Sequence, residues 1–111
     1  MQYGLNLSLF VDQPTISSIS SNKTVGENSN TTINCTVDSI PQSTIRWIFE
    51  TKELQNKYDG SLSLNEIDCL SMGRYTCQAV NILGDDNRYV NVAVKCEAFF
   101  ILHCRIIISL V

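Results

Sequence analysis

Between Gln13 and Lys95 the apolar residues stand at every second position in short runs: Ile33 and Cys35, Ile45-Trp47-Phe49, Leu62 and Leu64, Tyr75-Cys77-Ala79, and Val90-Val92-Val94. Ile16 and Val25 mark two shorter stretches. A repeat of two belongs to an extended strand, whose alternate side chains face opposite sides, so each run buries one row and shows the other. Clusters of Ser, Asn, Gly and Asp separate the runs, as turns between strands require. No dozen-residue window in this interval carries the i, i+3, i+4, i+7 apolar pattern of an amphipathic helix. The chain is therefore predicted to be all-β, with seven short strands.

The 111 residues suffice for one domain with its own core and not for two, since single domains run to about 100–150 residues. The eight Lys and Arg residues are scattered singly and the net charge is −3. No basic stripe exists to neutralise several phosphates, which sets nucleic-acid binding aside. Five cysteines (Cys35, Cys69, Cys77, Cys96 and Cys104) are many for a cytosolic domain of this size. There is no Cys-x-x-Cys pair, and the single histidine, His103, has no second ligand nearby in sequence. Disulfides are thus a better reading than a metal site. Neither a metal nor a cofactor is expected.

Cys35, Trp47 and Cys77 stand in the order Cys, Trp, Cys, with Tyr75 two residues before the second cysteine. This constellation resembles the immunoglobulin superfamily in its I-set or C2-like form. Val25-Gly26-Glu27-Asn28 running into Thr31-x-Ile33-x-Cys35 is similar to that family's Val-x-Glu-Gly segment and following strand. Trp47 to Leu54, Leu62-x-Leu64-x-x-Ile67 and Cys77-x-Ala79-x-Asn81-x-x-Gly84 continue the likeness. It covers residues 13–96, preceded by a lead-in, 1–12, and followed by an apolar tail, 97–111. It implies an immunoglobulin-like two-sheet antiparallel sandwich with Greek-key connections and a core signature of Trp47, Leu64, Ile67 and Tyr75. It also implies a Cys35 to Cys77 bridge worth about 4 kcal/mol. The Tyr75 hydroxyl would reach back to the chain before its strand, and Gly84 would supply a positive φ in a tight turn.

Three departures from the family pattern stand out. Ser71 occupies a corner position where the family usually has Asp, and a hydroxyl caps a turn weakly. Asn28 replaces a glycine, which the readiness of Asn for the left-handed region allows. Only about 15 residues separate Trp47 from Leu62, so one of the family's C′ and D edge strands is expected to be missing or vestigial.

The outward rows of the strands hold the candidate contact surface. Arg46, Ile48, Arg74, Gln78, Val80 and Tyr89 fall on one face by alternation, and such a mixture of apolar and polar groups suits a protein interface. Four Asn-x-Ser/Thr sequons, at Asn6, Asn22, Asn30 and Asn34, are candidate glycosylation sites on a secreted chain. In the fold that the resemblance implies, Cys69 and Cys96 lie at the same end of the sandwich. A second bridge is then one reading, and free thiols or a bond to another chain the other.

The segment 1–11 lacks the basic start and continuous apolar stretch of a signal peptide. A lead-in cut from a longer chain or an additional edge strand is the alternative. In the tail, residues 98–111 as a helix span roughly 21 Å, short of the roughly 30 Å hydrocarbon core, and Arg105 costs about 2.5–3.5 kcal/mol there. A truncated membrane segment, a gene-model or splice artefact and an extra packed strand all stay open.

Catalysis has little support: no Gly-x-Ser-x-Gly elbow and no phosphate-cradling Gly-rich loop occurs. Asp85-Asp86 reads as a solvated turn rather than a cation site. The resemblance implies a non-catalytic recognition or adhesion module at the cell surface or in the matrix, with protein partners or neighbouring domains and no small-molecule substrate. A spacer domain of a large intracellular muscle-type protein is the alternative.

Overall fold

In a computed structural model, residues 11–96 are described, so Asn6, His103, Cys104, most of the lead-in and the whole tail lie outside the described residues. Eight strands form: β1 (Asp12–Ile19), β2 (Lys23–Gly26), β3 (Thr31–Ile40), β4 (Thr44–Phe49), β5 (Lys52–Lys57), β6 (Ser61–Leu64), β7 (Gly73–Asn81) and β8 (Gly84–Lys95). One sheet has the order β1-β3-β6 and the other β2-β8-β7-β4-β5. All neighbours are antiparallel except β2, which runs parallel to β8.

The core lies between the sheets and is made from the inward row of each alternation. Ile33, Trp47, Cys77, Ala79 and Val90 are completely buried, with Ile16, Ile45, Leu62, Ile67, Tyr75, Val92 and Val94 around them. Leu64 is half-buried at its margin. Cys35 on β3 and Cys77 on β7 are bonded across the sandwich, their Cα atoms 6.5 Å apart. Closing a loop of that length removes entropy from the unfolded chain, worth about 4 kcal/mol. Trp47 meets its one polar need by donating Nε1–H to the Gly60 carbonyl at 3.0 Å.

All seven expected stretches are strands, and the eighth strand is β5, so the C′ edge is intact. The shortening falls wholly between β5 and β6, where Tyr58-Asp59-Gly60 crosses directly from one sheet to the other. Gly60 makes this crossing work. Its carbonyl accepts from the Cys35 amide at 3.0 Å, and a Cβ there would come within 1.9 Å of the Cys35 oxygen. Only a residue without a side chain approaches so closely.

Three further expectations are revised. Gly84 has no positive φ; the left-handed positions are Asn28 at 64°, Glu50 at 58° and Glu66 at 50°. Asn28 thus takes the conformation that its side chain tolerates. Ser71 does not cap its corner alone, because Asp68 accepts from the Leu70 amide at 2.9 Å and from the Ser71 hydroxyl at 3.1 Å. The carboxylate has moved three residues upstream. Asp85 and Asp86 lie in β8 rather than in a turn, and Asp86 accepts from the Ile16 amide at 2.8 Å, fastening β1 to the opposite sheet.

Candidate interaction face

The outer side of β4, β7 and β8 is assembled by register. Arg46 stands opposite Gln78, Ile48 opposite Thr76, and Thr44 opposite Val80. On the other flank of β7, Thr76 is opposite Tyr89 and Arg74 opposite Asn91. Because each inward neighbour is fixed in the core, these side chains have no choice of side. Arg46, Ile48, Arg74, Gln78, Val80 and Tyr89 therefore do share one surface.

Two small arrays order it. The Arg46 guanidinium donates Nη1–H to Gln78 Oε1 at 2.9 Å and pairs with Glu53 on β5, Nε to Oε1, at 2.7 Å. That second contact is a charge pairing rather than an aligned hydrogen bond. With the two partners 38% and 45% exposed, water screens the pair, and its value is at most about 1 kcal/mol. On the flank, the Arg74 guanidinium sits 4.0 Å above the centre of the Tyr89 ring, a cation–π contact worth about 0.5–1 kcal/mol at such a site. Ile48 and Thr76, both half-buried, lie between the arrays, and Val80, also half-buried, lies on the far side of the Arg46–Gln78 pair. The surface thus offers a strip of modest apolar character flanked by two cations already held in place.

Glu53 was not legible as a member of this face, because Lys52-Glu53-Leu54-Gln55-Asn56-Lys57 contains one apolar residue and shows no alternation. It is nonetheless an edge strand, and charge on an edge is one way to discourage further strand addition. The spacing of Glu53 from Trp47 carried no signal.

A second exposed apolar group lies at the end where β1 begins. Ile40 is 52% and Ile82 is 89% exposed. Asn81 ties the adjoining segments, donating from Nδ2 to the Asp12 carbonyl at 2.8 Å and the Pro41 carbonyl at 3.1 Å.

At the opposite end the three-residue 3₁₀ turn Cys69–Ser71 carries the second bridge, Cys69 to Cys96, with Cα atoms 6.1 Å apart. The Tyr75 hydroxyl donates to the Ser71 carbonyl at 2.6 Å. Burial, followed by the nearby Asp68 and Glu50 carboxylates, pushes its pKa above the ordinary tyrosine value. No group of three His, Cys, Asp or Glu side chains gathers as metal ligands among the described residues.

Of the sequon asparagines, Asn22, Asn30 and Asn34 are all exposed. Each accepts through Oδ1 from a neighbouring segment: Asn22 from the Asn91 amide at 3.0 Å, Asn30 from the Glu66 amide at 2.9 Å, and Asn34 from the Ser61 hydroxyl at 2.7 Å.

A family model described as "Immunoglobulin domain" matches residues 13–81. Mouse hemicentin-1 is 36% identical over 88 residues, 73% of this chain and 2% of that protein. Mouse myopalladin is 34% identical over 80 residues, 64% of this chain and 6% of that protein. The chain thus spans a small fraction of these relatives. Among solved structures, a chimeric titin Z1Z2-Z1Z2 tandem superposes with a TM-score of 0.73 at 17% identity, covering 78% of this chain and 52% of that one. Extracellular domains 3–5 of Drosophila OTK superpose with a TM-score of 0.70 at 22% identity, covering 78% of this chain and 33% of that one.

Proposed function

The chain belongs to the immunoglobulin domain family and is a non-catalytic module, and we propose that it serves in protein recognition or adhesion outside the cell. The two bridges carry this reading, since Cys35–Cys77 and Cys69–Cys96 use all four described cysteines, and such pairs persist in oxidising compartments. The similarity to hemicentin-1 is in keeping with it. The contact surface is the outer side of β4, β7 and β8, where Ile48 and Val80 put apolar groups among Arg46, Arg74, Gln78 and Tyr89. Partners are other proteins, a second copy of this chain, or adjoining immunoglobulin domains. The apolar tail, residues 97–111, stands as a candidate point of membrane attachment through an incomplete segment.

Adhesion of beads coated with the secreted chain tests the surface. Ile48→Asp is expected to abolish adhesion to a second copy or to a cell-surface partner while leaving the fold intact. Unchanged adhesion to every partner of the parent chain would remove this surface from the proposal.

A second reading rests on myopalladin and on the Caenorhabditis elegans titin homolog, which is 32% identical over 76 residues. In that reading the chain is a mechanical spacer of a large intracellular array, and its thiols stay reduced.

A further inference from the structure

We propose that Asn34 carries an N-linked glycan whose first N-acetylglucosamine rests in the cleft beside it, against Tyr58. The inference rests on the extracellular reading above.

Three observations meet at this residue. The sequence Asn34-Cys35-Thr36 is a sequon, and in β3 its two outer members, Asn34 and Thr36, are both exposed while Cys35 points into the core. The Asn34 side chain is already oriented: Oδ1 accepts from the Ser61 hydroxyl at 2.7 Å, and the backbone on which it stands is tied to Ser20, its N–H donating to the Ser20 hydroxyl at 2.8 Å and its carbonyl accepting from the Ser20 amide at 2.9 Å. Nδ2, the atom that bonds to the sugar, has no hydrogen-bond partner among the described residues, so glycosylation breaks no contact of the fold.

The third observation is the cleft itself. It measures about 410 Å³ and is lined by Asn34, Thr36, Tyr58, Asp59 and Ser61, with Val37 and Ile45 at its base. It exists because β6, which follows Tyr58-Asp59-Gly60 directly, pairs with only Thr31–Asn34 of β3 and leaves the rest of that edge of β3 uncovered among the described residues. Tyr58 is 60% exposed at its rim. An aromatic ring beside hydroxyl and carboxylate groups has the chemistry to hold a pyranose, with C–H groups on the ring face and sugar hydroxyls on the polar rim.

Such a glycan covers the outer side of β1, β3 and β6. Protein contact is then directed to the opposite sheet, where the candidate interaction face lies.

The test uses the chain secreted from eukaryotic cells. Enzymatic release in heavy-oxygen water followed by peptide mass spectrometry reads occupancy at Asn34. Thr36→Ala removes the sequon but keeps the Asn34 to Ser61 bond. The expected results are a labelled aspartate at position 34 and a fall of about 4–8 °C in Tm for Thr36→Ala, with less than half that fall when Tyr58→Ala is already present. An unmodified Asn34 in a secreted, bridged molecule overturns the acceptor site and leaves the extracellular reading standing. Equal falls in both backgrounds overturn the seat against Tyr58. Failure to be secreted, with Cys35 and Cys77 reduced, removes the inference together with the reading beneath it.

Discussion

The two sides of the β4–β7 pair are made of different material. On the inner side Trp47, Tyr75, Cys77 and Ala79 are at most 3% exposed, joined by a bridge and by hydrogen bonds to Gly60 and Ser71. On the outer side Arg46, Ile48, Thr76 and Gln78 are half-buried, and Arg46 and Gln78 are hydrogen-bonded to each other. Residues adjacent in sequence therefore answer to different demands. The inner row fixes the fold, and the outer row is free of that demand. The residues of the family likeness consequently lie in the inner row, and the proposed contact surface in the outer one.

Substitutions on the inner side sharpen the contrast most. Trp47→Ala leaves a cavity and removes one of the two hydrogen bonds that the Gly60 carbonyl accepts, and denaturant unfolding is expected to report a loss of about 3–5 kcal/mol. A loss under about 1 kcal/mol would break the distinction between the rows.

Next is the second bridge, at the far end from Ile40 and Ile82. With a sequence separation of 27 between Cys69 and Cys96, replacing both by Ala is expected to cost about 3.5 kcal/mol, slightly less than for Cys35–Cys77, whose separation of 42 gives about 4 kcal/mol. Thermal unfolding of both double variants measures the order.

Tyr75→Phe removes one hydrogen bond and is expected to cost about 0.5–1.5 kcal/mol near neutral pH. It also changes alkaline behaviour. The folded state holds the Tyr75 proton more tightly than the unfolded chain does, so the stability this confers is present below about pH 10 and lost as pH rises through the folded value. The Phe variant is expected to unfold with a shallower pH dependence above about pH 10, read by urea midpoints across that range.

The smallest effect belongs to the outer side. Ile48→Asp is expected to change stability by less than about 1 kcal/mol, despite its position between two core residues. A calorimetric loss as large as that of Trp47→Ala would show that Ile48 is structural and would end its candidacy as a contact residue.

Much of this architecture was legible in the sequence because alternation and burial report the same quantity. Ile33, Trp47, Cys77 and Val90 sit where period two puts them. What escaped was set by contacts across the sequence. β5 has no buried row to reveal it, since it is an edge strand with one half-buried residue, Gln55, which donates to the Ser61 carbonyl at 2.7 Å. The Asp68 cap escaped because a carboxylate three residues from its usual place serves the same turn, and a fixed motif does not register the exchange. Asp86 looked like turn polarity until the sandwich brought the Ile16 amide to it. The candidate face was legible as a row. Its internal pairing was not, because Glu53 joins through β5 and Arg74 reaches diagonally to Tyr89.

Non-reducing peptide mapping of the protein isolated from its native tissue, with thiols alkylated at lysis, tests the extracellular module most directly. Linked Cys35–Cys77 and Cys69–Cys96 peptides, with none of these four cysteines alkylated, are expected. Alkylated Cys35 and Cys77 would contradict the extracellular reading and identify the chain as an intracellular spacer.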